Sequence, residues 1–443
     1  MCLNIISGGI GIFQFSKLNK EFNSSVKYLN RLNRNIIIFI IYGLLYDTAI
    51  NIYKPLAVKY LERLGGSNLQ ITLYNCLPGF VGAAVLLPGL FYLLKVEKKK
   101  AVTCVFIFIS RFILLLIAFV PMLPNELRPI AFVLLISAMN FPEAVSQASM
   151  QSFSGDLFDG RVRATAFSLR NKFGNLLILI VTLVSGMIIS YIPKSEAGIM
   201  LCYRIFFATA FIVGLGEVFY FSKLKEEYNP KYSPEKVQGK INIKISDIKE
   251  AFHNKAFVSF GVCTLLYYIS YHSGWAVSSI YVIKNLGANE IWLAIISVTS
   301  GLSSFLFASR WNRIIVKKGN NIALTAACLT MAINTLFLVM SPNLYFLIIQ
   351  SMVNGIGVIG LNITLLNGLL INTPDKNRLL YIGLYNTFMN LSLGFSPLFI
   401  QFFMDHTSVK AALSLVAIMR FVSTAIVFYV TVIRNKNKPV VEA

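Results

Sequence analysis

Residues 222–255 read SKLKEEYNPKYSPEKVQGKINIKISDIKEAFHNK and divide the chain into two apolar blocks of similar length. This stretch contains eight lysines and five acidic residues, which is too much charge for a lipid bilayer. Two prolines and a glycine interrupt its first part, whereas Ile245, Ile248 and Phe252 recur at helical spacing. We expect a flexible tether followed by a short amphipathic helix on the membrane surface. A solvated connector that only joins the two halves is the alternative.

The composition is that of an integral membrane protein. Of 443 residues, 56% are hydrophobic and only 13% are charged, which is outside the usual range of soluble proteins. In a soluble protein, the net charge of +21 would indicate nucleic-acid binding. In a membrane protein, the same charge can come from basic residues at the membrane edges, so their positions distinguish the two explanations. The six cysteines show no CxxC spacing and no neighbouring histidine, so we expect neither a metal site nor any other cofactor.

About 20 apolar residues are needed to cross a bilayer as a helix, and twelve such windows are present. The windows are residues 36–53, 71–94, 101–120, 130–152, 173–192, 199–221, 257–282, 291–309, 321–340, 344–371, 379–402 and 409–433. The predicted organisation is an N-terminal segment over 1–35 with an apolar run suited to a membrane interface, bundles of six helices over 36–221 and 257–433, a linker over 222–256, and a tail over 434–443.

The distribution of lysine and arginine predicts the orientation. If the N-terminus is cytoplasmic, the inner segments carry 30 of the 40 basic residues, the outer loops carry seven, and three lie within spans. This excess places both termini in the cytoplasm, with the plasma membrane as the expected location. It also accounts for the positive net charge without a nucleic-acid partner.

The two apolar blocks resemble each other in sequence. Asp159 begins DGRVRATAFSLRNKFGN after span four, and Asp375 begins DKNRLLYIGLYNTFMN after span ten, with Arg163 aligned to Arg378. Together with the six-plus-six arrangement, this indicates a duplication. The predicted fold class is all-α, with twelve transmembrane helices in two pseudo-symmetric six-helix bundles.

A local motif follows span eight, where residues 311–324 read WNRIIVKKGNNIAL. With this motif, the acid-and-arginine loop after span four and the twelve-span layout, the chain resembles the major facilitator superfamily. The resemblance implies a monomeric carrier of a small molecule that works by alternating access, driven by a gradient of protons or another ion and contacting membrane lipid. It also implies gating loops, to which we assign Asp159, Arg163, Arg313, Gly319, Asp375 and Arg378.

Four ionisable residues lie near the middle of predicted spans: Asp47, Arg111, Glu143 and Arg420. Each charge costs ~2.5–3.5 kcal/mol near the bilayer centre, so each needs a function or a partner. We expect Asp47 or Glu143 to bind the coupling proton, with Arg111 as the pairing residue. The alternative is a fixed ion pair that never titrates. Arg420 is expected to lie outside the cavity and to bind backbone carbonyls, and Glu217 is expected to contact solvent.

The resemblance implies that spans one, four, seven and ten line a central cavity. Polar and aromatic residues at helical spacing on these spans are the candidate substrate contacts: Asn51, Gln147, Tyr268, Tyr271, His272, Trp275, Asn354 and Asn362. Packing is the alternative for the aromatic residues, and a tyrosine neighbour that satisfies the imidazole is the alternative for His272.

Several functions are compatible with these features. Efflux of an amphipathic or cationic compound is slightly favoured, and import of a sugar or other metabolite is the alternative. A lipid scramblase or a ligand sensor on the same scaffold is an alternative of another class. The chain has no HExxH, GxSxG or GxxxxGK[ST] motif, so we expect neither an enzyme nor an ATP-driven pump.

Overall fold

The computed structural model describes residues 34–95, 99–158, 160–225, 245–374 and 378–434, and every regular element in these ranges is helical. Twelve long helices are described: α1 (Arg34–Arg63), α2 (Asn68–Lys95), α3 (Lys99–Ala118), α4 (Arg128–Leu157), α5 (Gly160–Tyr191), α6 (Glu196–Ser222), α7 (Lys255–Ile280), α8 (Glu290–Lys318), α9 (Asn320–Val339), α10 (Phe346–Ile371), α11 (Arg378–His406) and α12 (Val409–Phe428). The predicted fold class of twelve helices is confirmed. The predicted interfacial segment and residues 226–244 of the linker lie outside the described residues.

Several helices are longer than the apolar windows that predicted them. The first window ends at residue 53, but α1 continues through a 3-10 turn at Lys54–Leu56 to Arg63. The fifth window begins at residue 173, whereas α5 begins at Gly160. A hydropathy window marks only the length of a helix that lies in the apolar layer of the membrane. The helix can continue beyond this layer into polar sequence, because its backbone hydrogen bonds are internal. As a consequence, Arg170 lies inside α5 and not in the preceding loop.

Side-chain caps explain where four of the helices begin. Ser195, Asn254, Asn289 and Ser408 each precede a helix, and the side-chain oxygen of each accepts a hydrogen bond from a backbone N–H of its first turn. These caps satisfy donors that would otherwise lack a partner at the membrane boundary. Between α8 and α9 the chain reverses at Gly319, which has φ of +83° and is therefore in a conformation that favours glycine.

The two bundles contact each other mainly through α2 with α11 and α5 with α8. Under the duplication, α2 corresponds to α8 and α5 to α11, so these two interfaces are equivalent and reflect the pseudo-symmetry. The approach is close because glycines face the contact. A Cβ atom on Gly79 of α2 would lie 2.6 Å from the backbone nitrogen of Gly394 on α11. On α5, a Cβ on Gly186 would overlap Ala294 of α8.

The hydrophobic core differs between the two ends of the molecule. We call the end with Ser222 and Lys255 the linker end, and the opposite end, with Arg63 and Glu290, the distal end. At the distal end one buried cluster combines residues of both bundles, including Tyr60, Tyr203, Ile280 and Leu347. At the linker end the described buried residues form two separate clusters, one in each bundle. Among the described residues, the buried apolar cores of the two bundles are therefore continuous at the distal end and separate at the linker end.

The end of the linker forms the predicted short helix, Ile245–His253. Ala251 is buried in the linker-end core of the C-terminal bundle, and Phe252 packs edge-on against Phe388 of α11 at 6.1 Å between ring centroids. The helix is thus fixed to the second bundle through one face. Its contact with a membrane surface stays a prediction.

Candidate transport site

The core of the first bundle contains a cluster of three charged residues from α3, α4 and α6. Arg111, which is 1% exposed, donates from Nε to Glu217 Oε2 at 2.8 Å and from Nη1 to Glu143 Oε2 at 3.1 Å. Ser110 Oγ also donates to Glu143 Oε2 at 2.9 Å, and Gln147 Nε2 donates to Oε1 at 3.3 Å. The predicted pairing of Arg111 with Glu143 is therefore present, with Glu217 as a second acid.

This cluster has one more acid than base. With both carboxyl groups ionised, Arg111, Glu143 and Glu217 carry one net negative charge in a low-dielectric environment. Glu217 is fully buried, and its Oε1 atom has no hydrogen-bond partner among the described residues. A buried carboxylate oxygen without a partner is costly, and binding of one proton would neutralise the cluster. The expectation that Glu217 contacts solvent is wrong, because the side chain points between helices and not toward the linker end.

A second ion pair lies next to this cluster. Asp47 of α1 accepts a hydrogen bond from Arg170 Nη2 of α5 at 3.0 Å. The ring of Tyr46 lies 5.3 Å from the Arg111 guanidinium carbon and 5.7 Å from that of Arg170. This geometry is that of cation–π contacts to both arginines. Asp47 is thus paired with Arg170, and of the two predicted acids only Glu143 is paired with Arg111.

The second bundle contains a cavity of about 390 Å³. Helices α7, α8, α9, α10 and α12 form most of its wall, and Pro55, Val58 and Asn75 of the first bundle complete it. Three amide side chains in the wall are linked by hydrogen bonds. Gln350 donates to Asn334 at 2.7 Å, Asn334 donates to Asn354 at 3.2 Å, and Asn354 donates to Ser300 Oγ at 3.1 Å. The cavity therefore lies mainly within the second bundle, borders the first, and has a polar patch in an otherwise largely apolar wall.

Arg420 lines this cavity and is 4% exposed. Its Nη1 donates to Thr335 Oγ1 at 2.5 Å, and its Nη2 donates to the carbonyl of Tyr271 at 2.9 Å. The predicted pairing with backbone carbonyls is present. The expected position outside the cavity is wrong, because α12 packs against both α7 and α9 and directs this side chain between them.

His272 is held by neighbouring side chains of the second bundle. Its Nδ1 lies 3.2 Å from Ser392 Oγ of α11, and its ring stacks on Tyr268 with 5.2 Å between centroids. The imidazole is 5% exposed. This environment agrees with the alternative given for His272 in the sequence analysis, a core residue whose imidazole has neighbouring side chains as partners.

An ion-pair network connects the bundles at the distal end. Arg63 at the end of α1 donates from Nη2 to Glu290 Oε2 of α8 at 3.1 Å, and from Nη1 to Glu196 of α6 at 2.6 Å. Tyr203 donates to Glu290 Oε1 at 3.1 Å. Lys284 donates to Asn68 Oδ1 at 2.8 Å, which adds a second contact between the bundles. These contacts join the two bundles at the distal end.

The structure brings together only part of the predicted substrate set. Tyr271, Trp275 and Asn354 line the cavity. Gln147 is bound to Glu143, and Asn51 donates to the backbone carbonyl of Asp47 at 2.8 Å. Tyr268 and His272 are buried beside the cavity, and Asn362 is exposed and does not line it. Substrate roles for all eight residues stay predictions.

The predicted gating loops are described only in part. Asp159 and Asp375 lie outside the described residues, as does the side chain of Arg163. Arg313 is exposed near the linker end of α8, Gly319 forms the following turn, and Arg378 begins α11. A gating role for these residues stays a prediction.

Sequence reasoning placed Arg170 in a loop, Glu217 in contact with solvent and Arg420 outside the cavity. Each of these charged residues lies within or at the edge of an apolar window, and this unusual position is the feature of the sequence that could have identified them. The signal could not reveal which charges meet, because the partners are 106 residues apart for Arg111 and Glu217 and 123 residues apart for Arg170 and Asp47.

Comparison with known proteins agrees with this architecture. The chain resembles the nucleoside transporter NupG, at 12% identity and a TM-score of 0.70 over 89% of this chain and 99% of that protein. It also resembles a bacterial homologue of the human lysosomal transporter Spinster in an inward-facing, unoccupied conformation, at 11% identity and a TM-score of 0.68 over 93% and 99% of the two chains. A POT family transporter in complex with 5-aminolevulinic acid has 12% identity and a TM-score of 0.65 over 91% and 97%.

No curated protein matches the sequence. The family model described as Major Facilitator Superfamily matches residues 36–371 and 260–443. These two matches together cover almost all of the chain, including both six-helix bundles. The chain belongs to the Major Facilitator Superfamily.

Proposed function

We propose that this protein is a proton-coupled secondary transporter of a small polar metabolite, located in the plasma membrane. Membership of the superfamily supports transport by alternating access and not catalysis. The separate linker-end cores and the joint distal-end core support an inward-facing state in which the linker end is cytoplasmic. The excess of basic residues at the linker end supports the same orientation, with both termini in the cytoplasm.

The observation that carries the proposal is the cluster formed by Arg111, Glu143 and Glu217. Two acids share one arginine, so the cluster becomes electrically neutral when it binds one proton. Glu143 is 18% exposed at its side chain, whereas Glu217 is 1% exposed. Glu143 is therefore the acid through which a proton enters from solvent. Glu217 is the acid that holds the proton away from solvent. A pH difference of one unit contributes about 1.4 kcal/mol per proton, which sustains a roughly tenfold concentration ratio.

The polar patch in the cavity wall supports import of a metabolite. Its three linked amides and its hydroxyl groups would bind the polar groups of such a substrate, and the apolar remainder of the wall would pack against its carbon skeleton. Efflux of an amphipathic cation is the second candidate, and the 39% exposed ring of Trp275 beside Tyr271 favours it. The excess negative charge of the first bundle would suit such a cation.

The test is uptake into proteoliposomes from a defined mixture of carboxylates, amino acids, sugars, nucleosides and quaternary ammonium compounds, read by mass spectrometry. We expect at least one metabolite to accumulate when the vesicle interior is alkaline, and Glu217→Gln to abolish this accumulation. Glu126→Gln, at an exposed site between α3 and α4, is the matched control. Gradient-driven accumulation by Glu217→Gln at the wild-type rate would refute coupling through this cluster. Transfer of labelled lipid without any gradient would indicate a scramblase, and metabolite binding without uptake would indicate a sensor.

A further inference from the structure

The charge on Arg420 differs from the other charges buried in the bundles. Arg111 and Arg170 each contact a carboxylate. Arg420 contacts only neutral groups among the described residues: the carbonyls of Ser270, Tyr271 and Met331, the hydroxyl of Thr335, and the face of the Tyr271 ring at 5.3 Å. Its positive charge is therefore buried without an opposite charge.

The position of this charge is the second part of the argument. Arg420 lines the cavity of about 390 Å³, so a small organic molecule has room beside it. The amide groups of Asn334, Gln350 and Asn354 line the same cavity and offer further hydrogen-bond donors. Residues of α1 and α2 complete the wall, so a molecule bound there would lie at the interface where the two bundles move relative to each other.

We propose that this cavity binds a small monocarboxylate, with the guanidinium of Arg420 as its counter-charge. A carboxylate stabilises a buried guanidinium because the two opposite charges neutralise each other, and Nη2 of Arg420 keeps one N–H beyond the one that it donates to Tyr271. One arginine balances one negative charge, which fits a monocarboxylate better than a phosphate monoester or a dicarboxylate. This assignment names the substrate class of the proposed transporter and rests on that function.

The two bundles then complement each other in charge. Among the described buried residues, the cluster of Arg111, Glu143 and Glu217 carries one net negative charge, and Arg420 in the second bundle carries one positive charge. One proton neutralises the first site and one carboxylate neutralises the second. The loaded carrier has neutral sites in both halves, so transport of the proton with the anion moves no net charge across the membrane.

The binding test uses thermal unfolding of the purified protein without any gradient. The probes are monocarboxylates of two to eight carbons, each with its primary amide as the neutral match, together with phosphate monoesters and primary amines. We expect some carboxylates to raise the Tm of the wild type while their amides do not. We expect Arg420→Gln to lose this effect and Arg420→Lys to weaken the apparent affinity at least tenfold. Arg310→Gln, at an exposed position on α8, should respond like the wild type.

The proposal is overturned if carboxylates and amides shift the Tm equally, if only phosphate monoesters or amines stabilise the protein, or if Arg420→Lys binds carboxylates with wild-type affinity. The lysine variant keeps the test decisive should Arg420→Gln fail to fold. Glu217→Gln should retain carboxylate stabilisation, so loss of proton coupling and loss of anion binding are distinguishable. In proteoliposomes, uptake of a stabilising carboxylate should follow the pH difference and should not change when a potassium diffusion potential is imposed; a change with potential would contradict the charge balance.

Discussion

At the scale of single residues, the energetics of this protein are dominated by a few charges buried between helices. Arg111 is the clearest case, since it is 1% exposed and is the common partner of Glu143 and Glu217. An ion pair in such a place contributes little net stability, because desolvation offsets most of the attraction. Removal of one partner is far more costly, since the remaining charges stay buried.

We therefore predict that Arg111→Gln destabilises the protein by about 3–5 kcal/mol, because two carboxylates remain in the core without a cation. A lower Tm of the purified variant would measure the effect. Glu217→Gln should lower the Tm much less, since Arg111 keeps Glu143 as a partner. Arg310→Gln is the control, and an equal Tm for Arg111→Gln and Arg310→Gln would contradict the assignment.

At the scale of elements, the contact between α2 and α11 depends on the absence of side chains at its closest point. Gly79 faces the backbone of α11 at Gly394 and Asn390. Backbone atoms cannot move aside as a flexible side chain can, so a methyl group there forces the helices apart. Gly89 lies on the same helix, and a Cβ atom there would meet only side-chain atoms at 3.7 Å.

We predict that Gly79→Ala destabilises the protein by about 1–3 kcal/mol through overpacking. Gly89→Ala should be neutral or slightly stabilising, because alanine is the better helix former by about 1 kcal/mol. Thermal unfolding of the two variants gives the comparison. If Gly79→Ala is as stable as Gly89→Ala, the two helices do not pack as closely as described.

At the scale of the whole molecule, the two bundles are joined at the distal end by a shared hydrophobic cluster and by ion pairs. The contact between Arg63 and Glu290 joins α1 of the first bundle to α8 of the second. Glu290 is 2% exposed, so this pair is well protected from solvent. Alternating access requires that such contacts break when the distal end opens.

We predict that Glu290→Gln shifts the population toward a state open at the distal end. Double electron–electron resonance between spin labels at positions 194 and 345 should then show a longer distance population. Both positions are exposed at the distal end, one in each bundle. The native cysteines would first be replaced so that only these two positions carry labels. Glu126→Gln is the control, since Glu126 is exposed in the connection between α3 and α4 of the first bundle. Identical distance distributions for the two variants would show that the pair does not hold the closed state.

The amino-acid sequence determined the number and approximate location of the helices, the division at the linker and the duplicated arrangement. These features follow from hydropathy and from the need to satisfy backbone hydrogen bonds within each span. Single buried charges such as Asp47, Arg111 and Glu143 could also be selected from the sequence, since each is unusual in its apolar window.

Only the tertiary structure decided which of these charges meet. It paired Asp47 with Arg170 and not with Arg111, and it buried Glu217 beside Glu143. It placed Arg420 in a cavity wall, where none of the described acids contacts it. The side of a helix that faces a neighbour depends on how all twelve helices pack, and hydropathy is nearly uniform around such helices. The pairing of charges is therefore a property of the packed bundles and cannot be obtained from one span at a time.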